Sequence, residues 1–422
     1  MIVPSARVGD LAEQVRGVTY GKDDASKTPA AGYLPVLRAG NITDTGLVFD
    51  DLVYVPATKV SAKQKIKRGD IVIAASSGSL DVVGKAAPAL TAFDGGFGAF
   101  CKVIRPNDKV DAGYLAQFFK TPSYRRTISS LAAGANINNL KSEHLDDLLL
   151  PLPPLPEQRR IAAILDQADA LRAKRREALV QLDSLTQSIF IEMFGKSLLS
   201  LKRTPMGDLV EEFRYGTSEK SGESGFPALR IPNVANGHLN LSELKTVPVE
   251  AAEFRRLQLK SGDLLFVRTN GNPENVGRCA VFEPSLVEES GFNPAEFIYA
   301  SYLIRARLKA RTVSPVVLQQ YLHVGEGRHA LRAVCKTSAG QYNINTEGLG
   351  AIPIPSFPLA LQQTFATRIQ AVESLKATHR AALAESSALF ASLQHRAFAG
   401  QLSTGQRPAA FATIAPCAPP TP

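Results

Sequence analysis

The sequence predicts an α+β fold: two copies of one domain, separated by two long antiparallel helices that form a coiled-coil spacer with pseudo-twofold symmetry. Three observations lead to this prediction. Short segments of the first half recur in order in the second half. Gly-Asp turns precede short aliphatic runs that are typical of buried strands. Two long segments without proline or glycine have apolar residues at spacings of three and four.

The internal repeat comprises six short segments, offset by roughly 190 to 210 residues. The six pairs are 8–11 with 206–209, 37–42 with 229–234, 66–73 with 259–266, 83–85 with 276–278, 136–138 with 343–345 and 151–153 with 353–355. One such match could arise by chance, but six in the same order indicate a duplicated domain.

Each copy is predicted to mix short strands with short helices. Gly69-Asp70 and Gly262-Asp263 precede the expected buried strands 71–74 and 264–267. Short helices are expected at 112–119 and 315–322. Frequent glycine and proline between the apolar runs favours an irregular α+β domain.

Each copy ends in a proline-rich hinge that leads into a long helix. The first helix is predicted from Glu157 to about Phe194, before Gly195, and the second from about Leu359 to Phe398, before Gly400. The expected apolar seam of the first is Ile161, Ile164, Ala168, Leu171, Ala178, Leu182, Leu185 and Ile189, with Arg175 as a polar member. The seam of the second is Ile369, Val372, Leu383, Phe390 and Leu393, interrupted by Lys376, His379 and Ser386.

Helices of this length extend about 55–60 Å and cannot bury an apolar stripe alone. We therefore expect the two to pack together as a coiled coil, with pairing between separate molecules as the alternative. The predicted division is a first domain at 1–154, a central helix at 155–196, a second domain at 197–357, a distal helix at 358–400 and a disordered tail at 401–422.

Composition narrows the class of protein. The chain has 422 residues and a formal charge of +9, which favours a polyanionic partner such as nucleic acid. Neither a membrane span nor a secretory signal is evident, so we expect a cytoplasmic protein without a membrane partner. Cys101, Cys279, Cys335 and Cys417 are scattered, as expected for free thiols in a reducing compartment.

The two helical regions resemble those of a known family. The run LPLPPLPEQRRIAAILDQAD at 150–169, followed by a helix that ends in Met193-Phe194-Gly195, resembles the central conserved region of specificity subunits of type I restriction–modification enzymes. The run IPIPSFPLALQQ at 352–363, continuing through 398–402, is similar to the distal conserved region. Here Leu361-Gln362 replaces the Pro-Glu-Gln of the first copy, which leaves the start of this helix open.

The resemblance implies a function and a set of partners. Each domain would be a target-recognition domain that reads one half of a split double-stranded DNA site, and the helices would set the gap between the halves. Two methylation subunits would bind around the helices, and restriction/translocase subunits would complete the enzyme. The chain itself would have no catalytic site or cofactor, with S-adenosylmethionine, ATP and magnesium on partner subunits.

Candidate DNA-binding residues are those whose side chains can pair with base edges or phosphates. In the first domain they are Arg38, Asn41, Ser76, Ser77, Ser79, Lys85, Lys102, Arg125, Arg126 and Asn136. In the second they are Arg230, Asn233, Arg268, Thr269, Asn270, Asn272, Arg278, Lys336, Gln341, Tyr342 and Asn343. The loops after the strands 71–74 and 264–267 are the strongest candidates, because they occupy equivalent places yet differ in chemistry.

Alternatives stay open for several of these residues. Any single one could be a solvated charge or a turn-forming polar residue. Arg38 and Arg230 could pair with an acid inside their domains. The basic run at 172–176 is interpreted as a solvated or salt-bridged helix face, or as a contact with the DNA backbone or a methylation subunit.

The segments that come nearest to catalytic motifs lack the required spacing or surroundings. The segment 78–85 is one residue too long for a phosphate-binding loop and is followed by Ala86 instead of Ser or Thr. The glycine-rich segment 93–98 lacks a surrounding βαβ unit, and no metal-binding histidine pair is apparent. Competing hypotheses are a methyltransferase or nuclease with its own site, a coiled-coil bridging protein that does not read sequence, and service in a related phage-defence system.

Overall fold

The computed structural model describes residues 3–79, 81–132, 139–234, 237–338 and 340–402. The chain forms two compact units. The first consists of Met1–Glu177 with Arg380–Pro422, and the second is Ala178–His379. Because this division passes through both long helices, the domain boundaries given above stay predictions.

The helices are distributed along both units. They are α1 Val8–Leu11, α2 Ala112–Phe118, α3 Pro122–Ala132, α4 Ser142–Asp146, α5 Leu155–Phe194, α6 Met206–Leu209, α7 Ile231–Val234, α8 Ala251–Leu257, α9 Pro284–Glu289, α10 Pro315–His323, α11 Gly325–Ala333, α12 Thr346–Ala351 and α13 Leu359–Phe398. The predicted short helices correspond to α2 and α10, and the predicted long helices to α5 and α13. These predictions are confirmed.

The strands are short in both units. In the first unit they are β1 Ser5–Arg7, β2 Ala12–Arg16, β3 Tyr33–Leu37, β4 Ile42–Thr43, β5 Gly46–Leu47, β6 Val53–Pro56, β7 Ile71–Ala74, β8 Ala86–Pro88, β9 Gly96–Phe97, β10 Cys101–Pro106 and β11 Leu149–Pro151. In the second they are β12 Arg203–Pro205, β13 Val210–Tyr215, β14 Phe226–Leu229, β15 Lys245–Val247, β16 Leu264–Val267, β17 Thr269–Asn270, β18 Cys279–Val281, β19 Ile298–Tyr299, β20 Leu303–Leu308, β21 Lys336–Ser338, β22 Gln341–Asn343 and β23 Pro353–Pro355.

The two units share one sheet topology. A four-stranded antiparallel sheet has the order β2-β10-β7-β8 in the first unit and β13-β20-β16-β18 in the second. A three-stranded sheet has the order β6-β3-β9 in the first and β15-β14-β19 in the second, with one antiparallel and one parallel pairing in each. The duplication that the sequence predicted is therefore a duplication of fold, and the α+β prediction is confirmed.

The strands β7 and β16 are buried on both faces, as their unbroken aliphatic sequences predicted. Ile71 and Ile73 pack in a core with α2, α3 and α5, whereas Val72 and Ala74 pack in a second core with β3 and β9. Residues 264–267 alternate in the same way between two cores of the second unit. The sheet is thus the middle layer of each unit.

The repeated Gly-Asp turn has a structural cause. The Asp70 carboxylate accepts hydrogen bonds from the Lys67 amide at 2.8 Å and from the Arg105 guanidinium at 2.8 and 2.7 Å. Asp263 makes the same contacts with the Lys260 amide and with Arg307, at the same distances. Since a buried carboxylate needs such partners, each copy retains both the aspartate and its arginine.

A glutamine in the first turn of each long helix ties the helix to its hinge. Gln158 Oε1 accepts from the Asp111 amide at 2.8 Å, and its Nε2 donates to the Pro153 carbonyl at 2.8 Å. Gln362 repeats this with the Ser314 amide at 2.6 Å and the Phe357 carbonyl at 2.9 Å. The two helices therefore start equivalently, although the second lacks the Pro-Glu-Gln sequence.

Segments of α5 and α13 pack against each other within each unit. In the first unit the Arg172 guanidinium lies 4.4 Å from the centre of the Phe390 ring. In the second unit Lys376 Nζ lies 2.8 Å from Asp183 Oδ1, and the Phe190 ring lies 5.7 Å from Phe365. From Arg172 through Asp183 to Phe190 along α5, the contacted residues of α13 fall from Phe390 through Lys376 to Phe365. The contacting segments therefore run antiparallel.

The predicted seam of α5 is wrong at two positions. Leu171 and Leu185 are 46% and 43% exposed, whereas their neighbour Arg172 stacks on Phe390 and Thr186 is buried. One residue turns about 100° around a helix axis, so an error of one position moves a side chain off the seam. Arg172 can occupy its place because it stacks on Phe390 and pairs with Asp169 at 3.0 Å. The α13 seam agrees with the prediction, including a buried Lys376.

Among the described residues, none of the helices is both long enough and apolar enough to cross a membrane.

Candidate nucleic-acid interface

The loop after β7 lines an open cleft in the first unit. We call residues 75–84 the first post-strand loop and the equivalent residues 268–277 the second post-strand loop. The cleft has a volume of about 1080 Å³. It brings together the predicted residues Arg38, Ser76 and Ser77, and Phe100 also lines it. Ser79 is exposed further along the loop, and its amide donates to Ser77 Oγ at 3.2 Å.

The predicted asparagines are buried and shape a turn. Asn41 Oδ1 accepts from the Arg38 amide at 2.8 Å and its Nδ2 donates to the Asp50 carbonyl at 2.7 Å. In the second unit Asn233 likewise accepts from the Arg230 amide at 2.8 Å and donates to the Asn240 carbonyl at 2.7 Å. Both amide groups are occupied, which favours a structural role for this pair.

The two arginines beside these asparagines differ. The exposed Arg38 guanidinium forms an ion pair with Asp51. This is the alternative considered above, in which Arg38 pairs with an acid of its own domain. Arg230 is half-buried, and its Nη2 lies 3.4 Å from the Glu243 carbonyl. Arg38 therefore lines the cleft while its charge is paired with Asp51.

Two predicted lysines have partners within the first unit. Lys102 is buried, and its Nζ lies 3.2 Å from Ser142 Oγ and 3.4 Å from Gln14 Oε1. Burial, together with the charge of Arg16, lowers the pKa of Lys102 from its ordinary value. Lys85 Nζ lies 3.4 Å from Asp44. Their contact with DNA stays a prediction that this geometry does not favour.

Arg125 supports the first post-strand loop from behind. Its guanidinium donates to the carbonyls of Val83 at 2.7 Å and Asp81 at 3.0 Å. Arg328 does the same in the second unit, donating to Val276 at 2.9 Å and to Glu274 at 2.7 Å. Arg328 was not among the predicted residues, although its offset from Arg125 matches that of the repeat. Arg126, by contrast, is exposed on α3.

A glycine ends each loop for a steric reason. Gly84 and Gly277 have φ angles of +78° and +73°. A Cβ atom would lie 2.4 Å from Ile128 at the first and 1.9 Å from Leu331 at the second. The repeated Val-Gly-Lys and Val-Gly-Arg segments therefore mark where a helix packs against the end of the loop.

The second post-strand loop brings most predicted residues of its unit into one small sheet. Strands β17, β22 and β21 pair in that order, placing Thr269 opposite Asn343 and Asn270 opposite Tyr342. Lys336 also lies opposite Asn343, and Gln341 is exposed at the turn. Asn272 follows directly, its amide donating to Asn270 Oδ1 at 2.9 Å.

Arg268 and Arg278 flank this sheet with different environments. The exposed Arg268 guanidinium lies 4.8 Å from the centre of the Tyr215 ring, and its Nη1 lies 3.4 Å from the Ser301 carbonyl. Arg278 Nε donates to the Glu274 carbonyl at 3.0 Å. The predicted Asn136 of the first unit lies outside the described residues.

Metal binding and thiol chemistry depend on how side chains are grouped and protonated in the described part of the chain. There, His, Cys, Asp and Glu side chains form no group of three or more that could hold a metal ion. Cys101, Cys279 and Cys335 are free thiols. Burial raises the pKa of Cys101 to about 12, so this thiol stays protonated at neutral pH. Cys417 and most of the predicted tail lie outside the described residues.

Comparison with known proteins decides the family. The type I restriction modification DNA specificity domain matches residues 5–181. A type I restriction enzyme specificity subunit of Escherichia coli K12, EcoKI, is 34% identical over 95% of this chain and 89% of its own length. The StySPI specificity subunit of Salmonella potsdam is 31% identical over 96% of this chain and 90% of its own. This chain belongs to the family of type I restriction enzyme specificity subunits.

Solved structures agree with the fold. A specificity subunit from M. genitalium covers 94% of this chain and 96% of its own, with a TM-score of 0.52 at 14% identity. A chain from a type I restriction–modification assembly covers 94% of this chain with a TM-score of 0.50 at 16% identity. The family match confirms the predicted assignment to specificity subunits. Specificity subunits are the DNA-recognition components of type I enzymes and not their catalytic ones.

Proposed function

We propose that this specificity subunit reads a split DNA site, one half with each post-strand loop and its surroundings. The observation that supports this most directly is the contrast between the copies. Both loops follow the same central strand of the same sheet, yet one presents serines and the other presents Arg268, Thr269 and Asn270. Different half-sites require this combination of shared frame and divergent surface chemistry.

The predicted residues whose side chains are at least partly accessible are the proposed DNA contacts. Side chains suited to base edges or phosphates are Ser76, Ser77, Ser79, Arg38 and Arg126 in the first unit, with Asn136 retained from the sequence. In the second unit they are Arg230, Arg268, Thr269, Asn270, Asn272, Arg278, Lys336, Gln341, Tyr342 and Asn343. We assign Asn41, Asn233 and Arg125 to shaping the loops, because their polar groups are occupied inside the protein.

The long helices are proposed to set the gap between the half-sites. Each has 40 residues and so extends about 60 Å. One turn of B-DNA advances about 34–36 Å, so rods of this length can separate two readers along a duplex.

Partner subunits are proposed to dock on the same helices. Along α5 the apolar side chains of Leu171, Val180, Leu185 and Ile191 are exposed, as expected of a surface that another protein covers. We propose two methylation subunits there, with restriction/translocase subunits completing a cytoplasmic complex. Any S-adenosylmethionine, ATP and magnesium would then be bound by those partners.

Methylome sequencing tests the proposal. A host expressing the chain with its methylation subunits is compared with a host that lacks only this chain. We expect methylation at a motif of two short halves around a fixed gap, present only with the chain. If methylation is unchanged although the methylation subunit is active, the chain does not direct it, and a bridging role replaces the proposed one.

A deletion tests the role of the helices. Removing one heptad from each, around 171–178 and 372–379, is expected to shorten the recognised gap and leave both half-sequences unchanged. The new motif is determined by the same sequencing. A change in the half-sequences would show that the helices do more than set the spacing.

A further inference from the structure

An exposed aromatic residue stands at the same place in both units. Phe100 and Tyr302 each directly precede an inner strand of the four-stranded sheet, β10 and β20. Their side chains are among the most exposed large apolar ones of the described residues, at 69% and 58%. Strand register confirms the equivalence, because the next residues, Cys101 and Leu303, lie opposite Ala74 and Val267.

The backbone fixes each aromatic residue to the start of a post-strand loop. The Phe100 carbonyl accepts hydrogen bonds from the amides of Ala75 at 2.8 Å and Ser76 at 3.0 Å. The Tyr302 carbonyl accepts from the Arg268 amide at 2.9 Å. Each aromatic residue therefore lies beside the first residues of a loop that is proposed to read bases.

Chance exposure does not account for the pair. Leu90 is even more exposed, at 78%, but the strand pairing of β7 with β8 and of β16 with β18 makes Glu283 its equivalent in the second unit. At this position the exposed apolar side chain of one copy is replaced by a charged side chain in the other. At Phe100 and Tyr302 both copies retain an aromatic ring, although the adjoining loops have diverged.

The expected contact follows from what a duplex offers beside such loops. In B-DNA the faces of the bases are stacked, and only their edges are accessible in the grooves. Serine, arginine and asparagine side chains pair with donors and acceptors in the major groove, where the apolar feature is the C5 methyl group of thymine. We propose that Phe100 and Tyr302 each contact a thymine methyl group in the half-site read by their own unit. This inference rests on the proposed function.

The test uses the full chain in complex with its methylation subunits and a duplex containing the two half-sites found by methylome sequencing. Thymines are replaced one at a time by deoxyuridine, which removes only the methyl group. For the unsubstituted protein we expect one position in each half where the replacement weakens binding about three- to tenfold. Phe100→Ala should abolish this penalty in one half, and Tyr302→Ala in the other.

Two control variants separate the ring from other effects. Tyr302→Phe keeps the ring and should retain the deoxyuridine penalty. Leu90→Ala removes an exposed apolar side chain elsewhere in the first unit and should bind as the unsubstituted protein does. Because both aromatic rings are exposed, their removal should leave the folded structure intact, which circular dichroism and the unfolding temperature can verify.

Three results would overturn one claim or the other. If Phe100→Ala and Tyr302→Ala retain both penalties, the thymine contact is wrong while recognition of a split site stands. If they weaken binding equally on all duplexes, and 2-aminopurine fluorescence shows unstacking only with the unsubstituted protein, the rings act as wedges between base pairs. If the unsubstituted protein shows no preference for the split site, the proposed function itself fails.

Discussion

The two units retain one framework and differ at their surfaces. Their sheets have the same order, their Gly-Asp turns bind equivalent arginines, and the same glutamine anchors each long helix. The loops beyond the central strand differ. The second post-strand loop joins a three-stranded sheet, whereas in the described part of the first a single bridge connects Ser76 to Asn139. Packing has constrained the interior, while the loops have been free to change.

A second difference lies at the ends of the equivalent short helices α2 and α10. In the first unit Lys120 pairs with Asp169 on α5 at 3.1 Å. The equivalent position of the second unit is His323, whose Nε2 accepts a hydrogen bond from the Cys279 amide at 3.2 Å. One copy therefore holds a charge by an ion pair, and the other holds a neutral ring by a backbone contact.

The largest expected effect tests whether the buried aspartate of the Gly-Asp turn contributes equally to the stability of both units. Asp70→Ala and Asp263→Ala should each lower the free energy of unfolding by about 3 kcal/mol, because each leaves a partly buried arginine without its carboxylate. Urea denaturation measures both. Glu143→Ala, which breaks an exposed pair with Lys141, should cost less than about 1 kcal/mol. Clearly unequal costs for the two aspartates would contradict the equivalence.

The next effect concerns the arginines behind the loops. Arg328 is buried and donates to three carbonyls, whereas Arg125 donates to two and is less buried. Arg328→Ala should therefore destabilise its unit by about 2–3 kcal/mol, and Arg125→Ala by less. Denaturant unfolding compares the two. A larger loss for Arg125→Ala would mean that the first loop depends more on its support than the second.

A change at the divergent surface should affect one half-site alone. Arg268→Ala with Asn270→Ala is expected to relax recognition at one half by about 2 kcal/mol, roughly thirtyfold in affinity. Ser77→Ala with Ser79→Ala is the matched change and should affect the other half. Binding to duplexes with base changes in each half measures both. Equal losses at both halves would contradict the assignment of one reader to each unit.

The last expected effect depends on pH and concerns His323, which only the second unit has at this position. Burial, with the charges of Arg278 and Arg328, lowers the pKa of His323 to about 3. Between the ordinary pKa of about 6.5 and this value the unfolded chain binds a proton that the folded chain does not. Stability of the second unit should therefore fall as the pH drops below about 6.5, by about 2 kcal/mol at pH 5.

The control for this effect is His323→Gln, which can still accept the Cys279 hydrogen bond but does not titrate. Urea unfolding at pH 7 and pH 5 should show a smaller difference in stability for this variant than for the unsubstituted chain. An unchanged difference would assign the acid sensitivity to other groups.

Much of the frame could be predicted from the sequence because its signals are local or repeated. The strands β7 and β16 follow Gly-Asp turns, and both long helices end at glycines, so their positions agree with the prediction. The seam of α5 was wrong at Leu171 and Leu185 because rotation by one residue can be decided only by the partner helix. Arg125 was proposed for DNA, but its contacts are with loop carbonyls that lie some 40 residues away in sequence.

By itself, the sequence determined the duplication, the α+β class, the long helices and the resemblance to specificity subunits. Each of these depends on order, spacing or short motifs along the chain. The tertiary structure decided which polar side chains face inward, as with Asn41, Asn233 and Lys102, and which aromatic rings stay exposed. The reason is physical: burial and hydrogen bonding depend on neighbours that are remote in sequence, and a side chain's type does not specify them.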